Sequence, residues 1–207
     1  MELQNLNLKE FLAKTCGSDP VPGGGSISAL CGALSAALAE MVTGLTIGRK
    51  KYVDVEEEMK EIAPRMAEAQ KRFLQFIDDD AQAYDLVFQA FKMPKETDEE
   101  KAARSAAIQE NTLKAALVPL EVARTAVGIM DSIATIAAKG NQNAITDACV
   151  AMMCARTATF GALLNVRINL TSLKDAETVK KLSEECAKLH AEANHKEATL
   201  LDSVKID

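Results

Sequence analysis

Asp80 stands where a helical pattern calls for an apolar side chain. Around it Phe73, Phe76, Ile77, Tyr84, Val87, Phe88 and Phe91 recur at the spacing of one helix face. A carboxylate buried among phenylalanines costs several kcal/mol unless it is paired or protonated. Its pKa is then expected to rise, which suits a general acid or base near neutral pH. The competing expectation is a structural salt bridge to an Arg or Lys on a neighbouring helix. Asp78 and Asp79 fall off that face and are expected to be solvated.

A second candidate is the turn Gly23-Gly24-Gly25-Ser26, which follows Pro22. Glycine admits backbone angles closed to other residues and lets a ligand approach the main chain. Ser26 is a suitable helix N-cap. A helix start exposes unpaired N–H groups and a partial positive charge, so it can hold a carboxylate or a polar ligand oxygen. An ordinary glycine-rich entry to a helix would look the same. The turn is not a P-loop, because no Lys-Ser/Thr pair follows its last glycine. Nor is it a dinucleotide fingerprint, because Ser28 stands where the third glycine belongs.

Arg49, Lys50 and Lys51 close the apolar run that those glycines open. Such cations at a pocket mouth suit an anionic ligand, and they equally suit the negative end of a helix. Between Ala144 and Leu170, Asp147, Cys154, Ala158, Gly161, Asn165 and Asn169 share one face. That face is either the polar wall of a pocket or a set of polar contacts between tightly packed helices. Arg156 and Arg167 lie off it. His190 and His195 are five apart without an HExxH pattern, so no metal site is expected. His195 should be solvated and His190 packed near the surface.

The elements that must position these residues are all helical. The run from Ser26 to Gly48 carries one charge, Glu40, and is rich in Gly, Ala and Ser. It reads as the buried central helix around which an elongated multi-helix bundle is built, all-α and shared with a second subunit. Leu6–Cys16 is a short amphipathic helix ended by Gly17. Val53–Ile62 is helical, and Pro64 kinks it or begins the next helix. Pro64–Met93 follows, about 45 Å long at 1.5 Å per residue. Thr97 with Glu100 forms a capping box for a helix running to Lys139, bent at Pro119 and ended by Gly140. Asn141, Gln142 and Asn143 make a polar turn before Ala144–Leu170. Asp175 caps a last helix to about Ser203. Residues 1–207 read as one domain.

Composition narrows the class. Aromatics are 4% of the chain, so the core must be mostly Ala, Leu, Val, Ile and Met. A net charge of −6 argues against nucleic acid as a partner. The central run is long enough for a membrane span, but its polar residues and the lack of a second such segment argue against one. Five cysteines with no CxxC, and a polar N-terminus without a signal peptide, point to a reduced, cytoplasmic setting.

The run PGGGSISALCGALSAALAEMVTGLTIGRKKY closely resembles the signature of the formiminotetrahydrofolate cyclodeaminase / methenyltetrahydrofolate cyclohydrolase family. The likeness continues through DDDAQAY (Asp78–Tyr84), KMPKETDEEK (Lys92–Lys101), Val118-Pro119, Gly140, Asn141 and Asp147, and FGALLNVRINL (Phe160–Leu170). It covers nearly the whole chain. The resemblance implies an all-helical homodimer, with no cofactor beyond the tetrahydrofolate substrate, which is polyglutamylated or not. It also implies work beside a separate formiminotransferase. Cyclodeamination closes 5-formiminotetrahydrofolate to the 5,10-methenyl compound with loss of ammonia, and cyclohydrolysis opens that bridge to 10-formyltetrahydrofolate. On this resemblance Asp80 is the general acid/base, and Gly23, Gly24, Gly25 and Ser26 bind a polar edge of the folate. Arg49, Lys50 and Lys51 hold the glutamate tail, Tyr84 belongs to the matched motif and touches substrate, and Asn141, Asp147 and Asn165 orient the pterin. The non-enzymatic alternative is a helical interaction module whose Gly/Ala helix serves only dimerisation.

Overall fold

The computed structural model describes residues 2–205. Six α-helices account for most of them: α1 (Leu8–Thr15), α2 (Gly24–Thr46), α3 (Glu56–Lys92), α4 (Asp98–Lys139), α5 (Ile145–Leu170) and α6 (Ala176–Ser203). Three short 3-10 turns, Leu3–Asn5, Lys50–Val55 and Gln142–Ala144, join them, and no strand occurs among the described residues. The caps explain the boundaries. Thr97 and Glu100 form the capping box expected for α4, and Asp175 accepts from the N–H groups of Glu177 and Thr178 to start α6. Asn7 and Glu10 form a second box, so α1 begins at Leu8 rather than Leu6. Pro64 and Pro119 both lie inside unbroken helices, so Pro64 separates nothing.

α2 is the pivot, packed mainly on α3 and α5 with α4 behind, while α6 covers α4 and α5. The crossings are built from small residues. Ala29, Ala33, Ala36 and Ala39 of α2 and Ala148, Ala151, Ala155, Ala158 and Ala162 of α5 are all buried. Gly32 admits the fully buried ring of Phe73, whose nearest atoms would lie 2.5 Å from an added Cβ. The Ser35 hydroxyl donates to the Ala151 carbonyl at 2.7 Å, fastening α2 to α5.

Four expectations are corrected here. α2 is not buried all round: Leu34, Met41 and Leu45 are exposed on it, beside Val150, Met153, Leu164 and Ile168 of α5. These make a large uncharged face on two neighbouring helices. Asp78 is buried rather than solvated, because the N–H groups of Leu3 (2.6 Å) and Gln4 (3.4 Å) donate to its carboxylate. The aromatic face of α3 is buried only in its first half, at Phe73, Phe76 and Ile77. Beyond Asp80 the helix outruns α2, leaving Tyr84, Phe88 and Phe91 exposed. Contrary to the sequence expectation, a second segment, Gln142–Leu170, is like α2 long and apolar enough to cross a membrane, but half of each apolar window is buried in the bundle. All five cysteines are free thiols.

Candidate active site

Asp80 lies against the first turn of α2. Helix α2 starts at Gly24 with Gly23 as its cap, so Ser26 is not the N-cap but the third residue of the helix. Its hydroxyl is used over long range instead. It lies 3.0 Å from Asp80 Oδ2 and 3.1 Å from the Ile77 carbonyl, both on α3. Gly25 makes this approach possible: a Cβ there would fall 2.0 Å from Asp80 Oδ1. No salt bridge reaches Asp80 among the described residues. Burial pushes its carboxyl above the ordinary aspartate value, while the Ser26 hydroxyl and backbone N–H oppose that rise.

Both protonation states of Asp80 find partners in this geometry. As a carboxylate it accepts from the Ser26 hydroxyl and N–H. As an acid it can donate to Ser26 Oγ, whose own hydrogen then turns to the Ile77 carbonyl. A carboxyl that is half-buried, without a cationic partner and satisfied either way is equipped to take and return a proton.

Asn165 of α5 forms the next wall. It comes close enough to Gly24 that an added Cβ would sit 3.2 Å from its Nδ2. That amide donates to the Gly161 carbonyl at 2.9 Å, and no described residue donates to its Oδ1. Asn169 spans α5 to the Ala115 carbonyl of α4 at 3.0 Å, a contact between packed helices. Gly161 in turn receives Ser28, whose Oγ would be 2.3 Å from an added Cβ. Tyr84 follows Asp80 by one turn and stacks on Phe88, with ring centroids 6.3 Å apart and planes at 14°. Gly23, Gly24, Gly25, Ser26, Asp80, Tyr84 and Asn165 therefore gather at one end of the bundle.

Arg49, Lys50, Lys51, Asn141 and Asp147 do not join them. They sit at the far end of α2, whose 23 residues span about 34 Å at 1.5 Å per residue. Asn141 is occupied in tying the α4–α5 turn to the end of α2. Its N–H donates to Thr46 Oγ1 (2.9 Å), its amide donates to the Leu45 carbonyl (3.0 Å), and its Oδ1 accepts from the Asn143 N–H (3.1 Å). Asp147 is half-buried in the first turn of α5. The three basic side chains are exposed and make no salt bridge among the described residues. A concavity of about 840 Å3 also lies at this end, lined by Gln142, Ile145, Leu200 and the ion pair of Lys196 with Asp131 at 2.9 Å. The carboxylate lining this concavity, Asp131, is ion-paired and exposed, unlike Asp80. No cluster of three metal-ligating side chains occurs among the described residues. His195 is exposed, and His190 stacks on Phe160 at 4.1 Å.

The comparisons with known proteins agree with one another. The family model described as formiminotransferase-cyclodeaminase matches residues 7–188. The chain is 40% identical over 201 residues to a methenyltetrahydrofolate cyclohydrolase of Methylorubrum extorquens, covering 97% of each. It is 33% identical over 203 residues to the formimidoyltransferase-cyclodeaminase of Mus musculus, covering 98% of this chain and 38% of the mouse protein. The solved structure of a formiminotetrahydrofolate cyclodeaminase from Thermotoga maritima superposes with a TM-score of 0.85 at 31% identity, covering 96% of both chains.

Proposed function

The chain belongs to the formiminotransferase-cyclodeaminase family, and we propose that it is an enzyme of folate one-carbon metabolism acting on the carbon between N5 and N10 of tetrahydrofolate. The observation that carries the reading is the half-buried Asp80 carboxyl with its switchable Ser26 partner. In cyclodeamination, N10 attacks the carbon of the protonated formimino group and Asp80 accepts the N10 proton. Asp80 then returns that proton to the departing nitrogen, the carbon–nitrogen bond breaks, and ammonia leaves the 5,10-methenyl product. In cyclohydrolysis, water adds to the methenyl carbon and gives a proton to Asp80. The carbon–N5 bond then breaks as N5 takes that proton, and the remaining hydroxyl proton passes to solvent, leaving the neutral formyl group on N10. One carboxyl serves both cycles, and holding N10 against the carbon supplies much of the rate. The Gly23–Ser26 turn and Asn165 offer polar contacts for the pterin edge. Neither cycle calls for a metal or a redox cofactor.

The uncharged face of α2 and α5 supports a homodimer. It runs through Ile27, Leu30, Leu34, Leu38, Met41 and Leu45 on α2, all partly or fully exposed, and is too extensive an apolar surface to leave in water. In such a dimer the Arg49–Lys51, Asn141 and Asp147 end can serve an Asp80 site only from the partner subunit. The five unpaired thiols favour a reducing compartment, the cytoplasm, where a separate formiminotransferase would supply the formimino substrate.

The test follows the near-UV band of the methenyl bridge. Growth of the band from 5-formiminotetrahydrofolate with ammonia release establishes cyclodeaminase. Loss of the band from the methenyl compound faster than its spontaneous hydrolysis establishes cyclohydrolase. Asp80→Asn should abolish either activity in a folded protein, and normal turnover by that variant would refute the assignment. Sedimentation should give a dimer for the wild type and a monomer for Leu34→Glu. A monomeric wild type would remove the dimer.

A further inference from the structure

Asp80, Tyr84, Phe88 and Lys92 follow one another at intervals of four along α3, so their side chains line one stripe of the helix. The stripe begins at the reacting carboxyl and leaves the bundle along the part of α3 that outruns α2. Its members change character in order: a carboxyl, two exposed aromatic rings, then a cation. Tyr84 and Phe88 are 40% and 46% exposed and nearly coplanar, with planes 14° apart. Lys92 folds back so that its Nζ lies 4.0 Å from the centroid of the Phe88 ring. That places the ammonium level with Phe88, about 12 Å along the helix from Asp80 by helical rise. Lys92 makes no salt bridge or side-chain hydrogen bond among the described residues. Its neighbour Arg104 is committed, donating to the Phe91 carbonyl at 3.1 and 3.3 Å.

Resting on the reaction proposed above, we infer that this stripe binds the aminobenzoyl-glutamate half of the substrate, with Phe88 under the aryl ring and Lys92 holding a glutamate carboxylate. The order on the helix is the order in the substrate. N10 must lie at Asp80, the aryl ring is bonded to N10, and the glutamate follows the ring. An ammonium without a carboxylate partner, held only by its cation–π contact with Phe88, complements an anion attached to a planar ring. Arg49, Lys50 and Lys51 offer the same charge, but about 34 Å from Asp80 within one chain. The tail therefore needs no residue from the far end of α2.

Steady-state kinetics with two substrates tests this: the methenyl or formimino derivative of tetrahydrofolate, and the same derivative of tetrahydropteroate, which lacks the glutamate. Lys92→Gln should raise KM about tenfold for the glutamyl compound, the loss of one charge-assisted contact, and leave KM for the pteroyl compound at the wild-type value. Phe88→Ala should raise KM for both compounds. The triple variant Arg49→Gln/Lys50→Gln/Lys51→Gln should keep the wild-type preference for the glutamyl compound. If that triple variant abolishes the preference while Lys92→Gln retains it, the tail lies on the basic cluster and the inference is overturned. It is also overturned if Lys92→Gln or Phe88→Ala alters sedimentation without altering either KM, since the stripe then belongs to a subunit contact. A wild type that turns over neither compound refutes the reaction itself, and the inference falls with it.

Discussion

Replacing Gly25 with alanine should disable the enzyme without unfolding it. The added methyl would meet Asp80 Oδ1 at 2.0 Å, and all three carboxyl heavy atoms lie within 2.6 Å of it. Ordinary contact begins at 3.4 Å, so the carboxyl must retreat by about 1.4 Å. A retreat of that size carries Asp80 Oδ2 beyond hydrogen-bond reach of the Ser26 hydroxyl, now at 3.0 Å. It also withdraws the acid/base from the substrate by more than the roughly 1 Å that costs about 100-fold in rate. The expected fall in kcat/KM is therefore about 100-fold, or about 2.7 kcal/mol of transition-state stabilisation. Stability should move far less. The steric cost of about 1–3 kcal/mol is offset by roughly 1 kcal/mol of better helix propensity. Gly128 is the control, exposed on α4 with nothing within 4 Å of an added Cβ. Gly128→Ala should gain about 1 kcal/mol in urea unfolding at full activity. Activity of Gly25→Ala within about threefold of wild type, with a native circular dichroism spectrum, would refute the claim that this glycine positions Asp80.

Asp80 should also leave a mark on stability. Its carboxyl is raised in the folded state by burial, so the folded protein holds that proton more tightly than the unfolded chain does. This contribution is complete below the unfolded aspartate value and is lost as pH rises through the folded one. Asp80→Asn should accordingly be more stable than wild type near neutral pH, with the advantage shrinking on acidification, as urea titrations at several pH values would show. Gly32→Ala drives a methyl into the ring of Phe73 and should lower stability by about 1–3 kcal/mol in the same assay. Asp78→Ala orphans the Leu3 N–H and should cost about 1–3 kcal/mol. Limited proteolysis should then cut first near the N-terminus.

The fold was legible wherever its signal is local. Thr97 with Glu100, Asp175 and Gly140 mark helix ends through bonds a few residues long, and each end falls where those residues place it. Asp80 was legible because a charge broke an apolar period. The misreadings around Asp80 involve partners distant in sequence. Asp78 looks solvated until Leu3, 75 residues away, supplies an N–H. Ser26 has the chemistry of a cap, but its hydroxyl is claimed by Ile77 and Asp80, 51 and 54 residues on. The aromatic period shows which residues of α3 share a face, not that α3 projects past α2. The basic cluster was grouped with Asp80 by its charge and by motif membership, and Asn141 by motif membership. The length of the apolar run already sets them apart within one chain, since a helix from Gly24 to Thr46 separates its ends by about 34 Å.

The alanines at the crossings of α2 and α5 have a consequence for how such a chain can change. Alanine is the smallest side chain that still favours a helix, and here it sets the distance between axes. Replacement by glycine surrenders helix propensity, and any other replacement enlarges a close-packed contact. Variation at these positions is therefore one-sided: nearly every step pushes helices apart, and none can be repaired by trimming a neighbour that is already alanine. A compensating change would have to move a whole helix, and with it Asp80 relative to the first turn of α2. The spacing of the bundle and the geometry of the reaction are held by the same small side chains, so an inventory of tolerated substitutions there would read as a ruler for the site.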